Sequence, residues 1–182
     1  MLHKIRLFRL FLGIAVALLL SCTLAFMSPT AHADSVLMTC TGTQTEQFSP
    51  GITNHTQTVW ESRYSVYAPC LTLSDLALTG GSGVASFPVA TSCNYVGELP
   101  AYYQNFYWSD PKANYSQVYF THSSEVLLNG EYVITSTGDV SAGFGRGSRV
   151  LEVITLLHLD LDACNSPQGL TSVSGIVSLT FS

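Results

Sequence analysis

Thr56-Gln57-Thr58-Val59-Trp60-Glu61-Ser62-Arg63-Tyr64-Ser65-Val66-Tyr67 is the stretch that decides the fold class. It places Thr56, Thr58, Trp60, Ser62, Tyr64 and Val66 on one face of an extended chain. Gln57, Val59, Glu61, Arg63, Ser65 and Tyr67 take the other. Period two with β-branched and aromatic residues is the pattern of a half-buried strand, not of a helix.

Working outward, the same alternation recurs on both sides. Val36 to Thr41 and Thr43 to Phe48 read as strand, ending in a turn at Ser49-Pro50-Gly51. Gly80-Gly81-Ser82-Gly83 is a turn, and Val84 to Cys93 is the next strand. Gln104 to Trp108 and Tyr115 to His122 flank the polar connector Ser109-Asp110-Pro111-Lys112-Ala113-Asn114, which reads as a longer hairpin loop. Asn129-Gly130 lies between Val126-Leu127-Leu128 and Tyr132-Val133-Ile134, and both residues accept the positive φ of a type I′ turn. Gly143 to Gly147 is another turn. Arg149 to Leu161 and Thr171 to Phe181 are the last strands, separated by Asn165 to Gly169. A single helical turn at Leu73 to Leu78 is the only helix expected. The reading is all-β: one antiparallel barrel or sandwich of about 8–10 strands.

The segment before these strands reads as an address. Lys4, Arg6 and Arg9 precede an apolar run from Leu10 to Met27, and Ala31-His32-Ala33 is a small-residue exit. Together they predict a signal peptide at 1–33, a single all-β domain at 34–182, and secretion. Leu19-Leu20-Ser21-Cys22 loosely matches a lipobox, so a lipid anchor at Cys22 is the alternative. A retained span needs about twenty apolar residues, and this run is shorter and broken by Ser21-Cys22-Thr23.

Removal of 1–33 leaves Arg63, Lys112, Arg146 and Arg149 against twelve carboxylates, a net charge of −8. Four scattered bases make no counterion-releasing patch, which argues against nucleic acid and against stable membrane association. Cys40, Cys70, Cys93 and Cys164 remain, an even number that in an exported chain implies two disulfides with three connectivities. No close Cys-x-x-Cys spacing supports a metal site. If the strands form a simple meander, Cys40 and Cys70 lie at one end and Cys93 and Cys164 each close an upward strand. Parity then favours Cys40–Cys70 with Cys93–Cys164.

The cysteine flanks carry a family resemblance. Cys40-Thr41-Gly42-Thr43, Phe48 to Asn54, Ala68-Pro69-Cys70, Ser82 to Phe87, Trp108 before a hairpin, Leu159 to Cys164 and Gly169 to Thr180 resemble small secreted actinobacterial β-proteins. Those proteins are usually described as hypothetical or Ig-like-domain proteins. The resemblance spans nearly all of Cys40 to Phe181 and implies compartment, disulfides and fold class, but no catalytic residue. Where it implies a stretch rich in Thr and Val, this chain has Tyr95, Tyr102, Tyr103, Phe106, Tyr107, Trp108, Tyr115, Tyr119 and Phe120.

Exposed aromatic rings stack on sugar faces, and tyrosine adds a hydroxyl. Tyr102, Tyr103, Tyr107 and Trp108 are therefore the candidate binding residues, with carbohydrate or a cell-envelope component as partner. The competing reading is that these aromatics are core, with Phe106 and Trp108 on one face and Tyr107 on the other. His158, Asp160 and Asp162 share one face of an expected strand, but next-but-one residues lie nearly 7 Å apart, too far for one small ion. No Gly-x-Ser-x-Gly elbow appears, and Gly143 to Gly147 lacks the context of a phosphate cradle, so no cofactor is implied. The expectation is a secreted, non-enzymatic binding or cell-envelope domain. The alternative is a small extracellular polysaccharide hydrolase using Asp160, Asp162 or Glu152. An eight-stranded outer-membrane barrel is a third reading, against which the four cysteines weigh.

Overall fold

The computed structural model describes residues 37–73, 78–128, 131–156 and 160–182. The segment 1–33 with Cys22, read above as a leader, most of the expected helical turn, the expected Asn129-Gly130 turn and His158 lie outside the described residues. The strands are β1 (Met38–Ile52), β2 (Gln57–Thr72), β3 (Gly81–Thr91), β4 (Gly97–Leu99), β5 (Tyr102–Trp108), β6 (Tyr115–Leu128), β7 (Glu131–Gly143), β8 (Arg149–Leu156) and β9 (Leu170–Phe181). One helical turn, α1 (Leu161–Cys164), precedes β9.

Every strand pairing is antiparallel. β1 pairs with both β2 and β9, and β6 pairs with both β5 and β7. The sheet therefore closes into an eight-stranded up-and-down barrel, with β4 added beside the far half of β6. Closure decides between the barrel and the sandwich, and it satisfies the edges that an open sheet would leave bare. The upper end is where β1 finishes, and the lower end is where it starts.

Several strand boundaries differ from expectation; Gly81-Ser82-Gly83, read as part of a turn, is the start of β3, paired with Ser65 to Tyr67. Ser49-Pro50-Gly51 is not a turn but the last part of β1. The β1–β2 ladder stops at Ser49↔Trp60, and the β1–β9 register shifts between Gln47 and Ile52, so Pro50 sits where no ladder bond is required of it. The strand expected to reach Leu161 ends at Leu156. Asp160 Oδ1 accepts a hydrogen bond from the Ala163 backbone N–H, starting the helical turn that carries Cys164. Asp160 and Asp162 are exposed there rather than ranged along a strand.

The disulfides are Cys40–Cys70 and Cys93–Cys164. The first joins directly opposed residues of β1 and β2 at the lower end. The second ties the chain after β3 to α1 at the upper end. Both close long loops, of 30 and 71 residues. In the loop-entropy model each contributes roughly 3–5 kcal/mol.

The lower core is aromatic. Phe106 stacks with Trp108 at 5.6 Å, and the Phe181 ring meets both edge-on. Phe48, Ile52, Val59, Val89, Leu156 and Val173 fill the upper part. Between them lies a polar layer, fully enclosed: Gln44, Glu46, Glu61, Arg63, Ser65, Gln104, Ser136 and Glu152.

Candidate functional site

β5 and β6 form a hairpin whose register pairs Tyr103 with Tyr119, Asn105 with Gln117 and Tyr107 with Tyr115. All six side chains point away from the core, because their neighbours Tyr102, Gln104, Phe106, Trp108, Ser116, Val118 and Phe120 are buried. The rings of Tyr103 and Tyr119 stack at 4.6 Å. The Gln117 amide donates to Asn105 Oδ1 at 3.2 Å. Successive rungs are about 7 Å apart along the strands. An amide pair is thus framed by two tyrosine pairs, in a grid on the barrel exterior.

The grid continues onto β3 and β2. Val84 lies between it and the exposed Tyr64 of β2. No Asp, Glu, Lys or Arg faces outward from β2, β3, β5 or the Tyr115–Thr121 half of β6. This wall offers ring faces, hydroxyls and amides, and no charge. Such a surface suits a neutral polyhydroxylated ligand: ring faces cover C–H patches, while amides and hydroxyls meet the sugar hydroxyls.

Of the four residues read from the sequence, Tyr103 and Tyr107 stand on this wall. Tyr102 and Trp108 point inward, 3% and 7% exposed, and cannot stack on an external ligand. Tyr102 Oη accepts from Arg63 Nη1 and donates to Ser136, whereas Trp108 Nε1 donates to Ser116. Tyr115 and Tyr119 were noted only as part of an aromatic stretch. The 109–114 loop is the signal that locates them, since folding the chain back across it sets Tyr115 opposite Tyr107.

The interior holds a second assembly that sequence reasoning missed. Arg63 Nε donates to Glu61 Oε1 and lies 3.3 Å from Glu46 Oε1. Its guanidinium also covers the Phe87 and Tyr102 rings at 5.2 and 5.1 Å. Burial, opposed by Arg63, pushes the Glu46 carboxyl up to about 8. Burial also pushes Glu125, which lines the same end of the barrel, up to about 7. Lower down, Tyr67 and Gln104 both donate to Glu152 Oε1, and burial raises the Glu152 carboxyl.

This assembly has little room for a reactant. The cavity beside Glu46, Glu61 and Glu125 is about 20 Å³, enough for a single water. Glu152 is completely buried and reaches into the barrel rather than onto the tyrosine wall. Asp160 and Asp162 are at the upper end, on and before α1. The three carboxylates considered for hydrolysis therefore do not converge with the exposed aromatics. Among the described residues no group of three His, Cys, Asp or Glu side chains is arranged to hold a metal ion.

The fold and wall define a disulfide-bonded, eight-stranded antiparallel barrel with an uncharged aromatic flank. No family model matches this chain, and no curated protein and no solved structure matches it.

Proposed function

We propose that this protein is an exported binding domain that holds neutral polysaccharide of the cell envelope or its surroundings on the β5–β6 tyrosine grid. The observation that carries the reading is the grid itself: two exposed tyrosine pairs around an amide pair, on a wall free of charge. Export is supported by the leader at 1–33 and by two disulfides, which persist in oxidising compartments. The distribution of side chains supports a barrel that works in water. Above and below its polar layer the lumen is packed with Phe, Val, Ile and Leu, while β1 and β9 turn Thr39, Thr41, Thr43, Thr45, Ser174, Ser178 and Thr180 outward, with Ile176 as the apolar exception. A lipid-facing barrel carries the opposite pattern.

Co-sedimentation of the oxidised protein with insoluble peptidoglycan, chitin, cellulose and xylan tests the reading. Retention on one of them is expected, weakened about tenfold or more in Tyr103→Ala/Tyr119→Ala, since losing both rings removes a stacked pair. Absence of retention on every polymer would overturn it.

A further inference from the structure

Trp60 lies on the same strand as part of the wall but belongs to a different recess. It is 52% exposed, opposite Pro88 of β3 and Ser49 of β1. Its Nε1 donates to Ser86 Oγ, and Ser86 is in turn hydrogen-bonded to Ser62 at 2.9 Å. The indole edge is therefore held by the sheet while a ring face stays open, so little rotamer freedom is lost on binding.

Beside it runs a cleft of about 360 Å³ lined by Gln47, Phe48, Ser49, Trp60, Ser62, Thr171 and Ser172. The lining is one indole, one amide and four hydroxyl side chains over a buried phenyl ring. It contains no charged group and no aliphatic side chain. An ionic ligand would find no counter-charge here, and a greasy one would strip water from the hydroxyls without replacing it. A neutral sugar ring satisfies both demands, with a C–H face on the indole and its hydroxyls on Gln47, Ser62, Thr171 and Ser172.

The position of the cleft sets it apart from the tyrosine grid. It is built by β9, β1 and β2, whereas the grid is built by β5 and β6, with β3 between. Around an eight-stranded barrel each strand turns the surface by about 45°, so the two sites face directions at least about a quarter turn apart. A single flat polymer surface cannot lie on both.

We infer that the Trp60 cleft is a second glycan subsite, taking one neutral sugar ring, and that the barrel is bivalent and bridges separate polysaccharide chains. The inference rests on the glycan-binding reading of the wall and assigns that activity a second, geometrically independent contact.

Intrinsic fluorescence separates the two sites. Trp60 is half exposed and Trp108 is 7% exposed, so a ligand-induced change in tryptophan emission reports the cleft. The oxidised protein would be titrated with soluble cello-, xylo- and chito-oligosaccharides. Bridging would be read as capture of a dye-labelled soluble glucan or xylan by protein already bound to insoluble polymer. The expected result is an emission change in the parent and in Tyr103→Ala/Tyr119→Ala, with capture lost in Trp60→Ala. Gln47→Ala/Thr171→Ala, which alters only exposed lining residues, should weaken the titration about tenfold. If sedimentation remains tyrosine-dependent but no sugar changes the emission, the cleft proposal is overturned and the wall reading survives. An emission change with sedimentation indifferent to the tyrosines overturns the wall reading and, with it, bivalency. Capture that persists in Trp60→Ala also overturns bivalency.

Discussion

β2 and β9 flank the same strand, β1, yet distribute polarity in opposite ways. β9 is the more regular: Leu170, Val173, Val177, Leu179 and Phe181 face the lumen, and Ser172, Ser174, Ser178 and Thr180 face water, with Ile176 as its one exposed large apolar side chain. β2 is partly inverted: Glu61, Arg63 and Ser65 are enclosed, while Trp60, Tyr64 and Val66 are exposed. A strand that only had to be stable would resemble β9. β2 accepts the desolvation of charges inside and the exposure of rings outside. The proposed function uses the outer face of β2, which presents Tyr64 beside the wall and Trp60 in the separate cleft.

The inversion holds because it is locked at several points. A one-residue slip of β2 would exchange its faces. Cys40–Cys70 fixes the lower end of the β1–β2 pair. At Gly42 the backbones approach so closely that a Cβ would strike the Val66 carbonyl. Tyr67 is anchored across the lumen to Glu152, and the enclosed charges are partly satisfied by one another and by Gln44 and Tyr102, leaving Arg63 Nη2 and Glu152 Oε2 buried without a partner.

The most damaging way to break this contrast is Arg63→Met. It leaves Glu46 and Glu61 buried without their guanidinium and should cost about 3–5 kcal/mol in urea unfolding. Adding Glu46→Leu and Glu61→Leu should restore most of that loss, because an apolar cluster of similar volume has no charge left to desolvate. A triple variant no more stable than Arg63→Met would show that the charges do more than balance each other. On β9, Leu179→Ala should cost about 2–5 kcal/mol through the cavity it leaves.

A smaller effect comes from pH. Glu46 and Glu125 have folded-state values of about 8 and about 7, above the 4.5 of the unfolded chain. Their contribution to stability is fully present below about 4.5 and is lost as pH rises through the folded values. Thermal midpoints should therefore fall between pH 5 and 9, with the sense opposite to that of a salt-bridged carboxylate. Glu46→Gln should flatten the slope, and an unchanged profile would remove Glu46 as its source. Least of all, Tyr64→Ser on the exposed face of β2 and Ser178→Ala on that of β9 should each change stability by under about 1 kcal/mol.

How far the site could be read in advance depended on which interactions were local. Tyr103 and Tyr107 were legible because alternation along one strand separates them from Phe106. Tyr102 and Trp108 were grouped with them by adjacency, although adjacent strand residues face opposite ways. Trp60 was visible as one member of a face, but its role depended on β9 residues more than a hundred positions away. Glu46, Glu61 and Arg63 gave no warning, since hydropathy places charges outside unless partners converge from several strands.

The amino-acid sequence by itself determined the all-β class and several of its turns, and it favoured the two disulfide pairs on the assumption of a simple meander. Those follow from period-two alternation, from Pro, Gly and Asn chemistry within a few residues, and from strand parity. Tertiary structure alone decided that the sheet closes, which face of β2 is enclosed, and that a Trp60 cleft exists. Closure depends on the β1–β9 and β6–β7 registers. Burial of Glu61 and Arg63 depends on partners supplied from across the lumen. Such long-range pairings are chosen by the free energy of the whole barrel, and no short stretch of chain contains them.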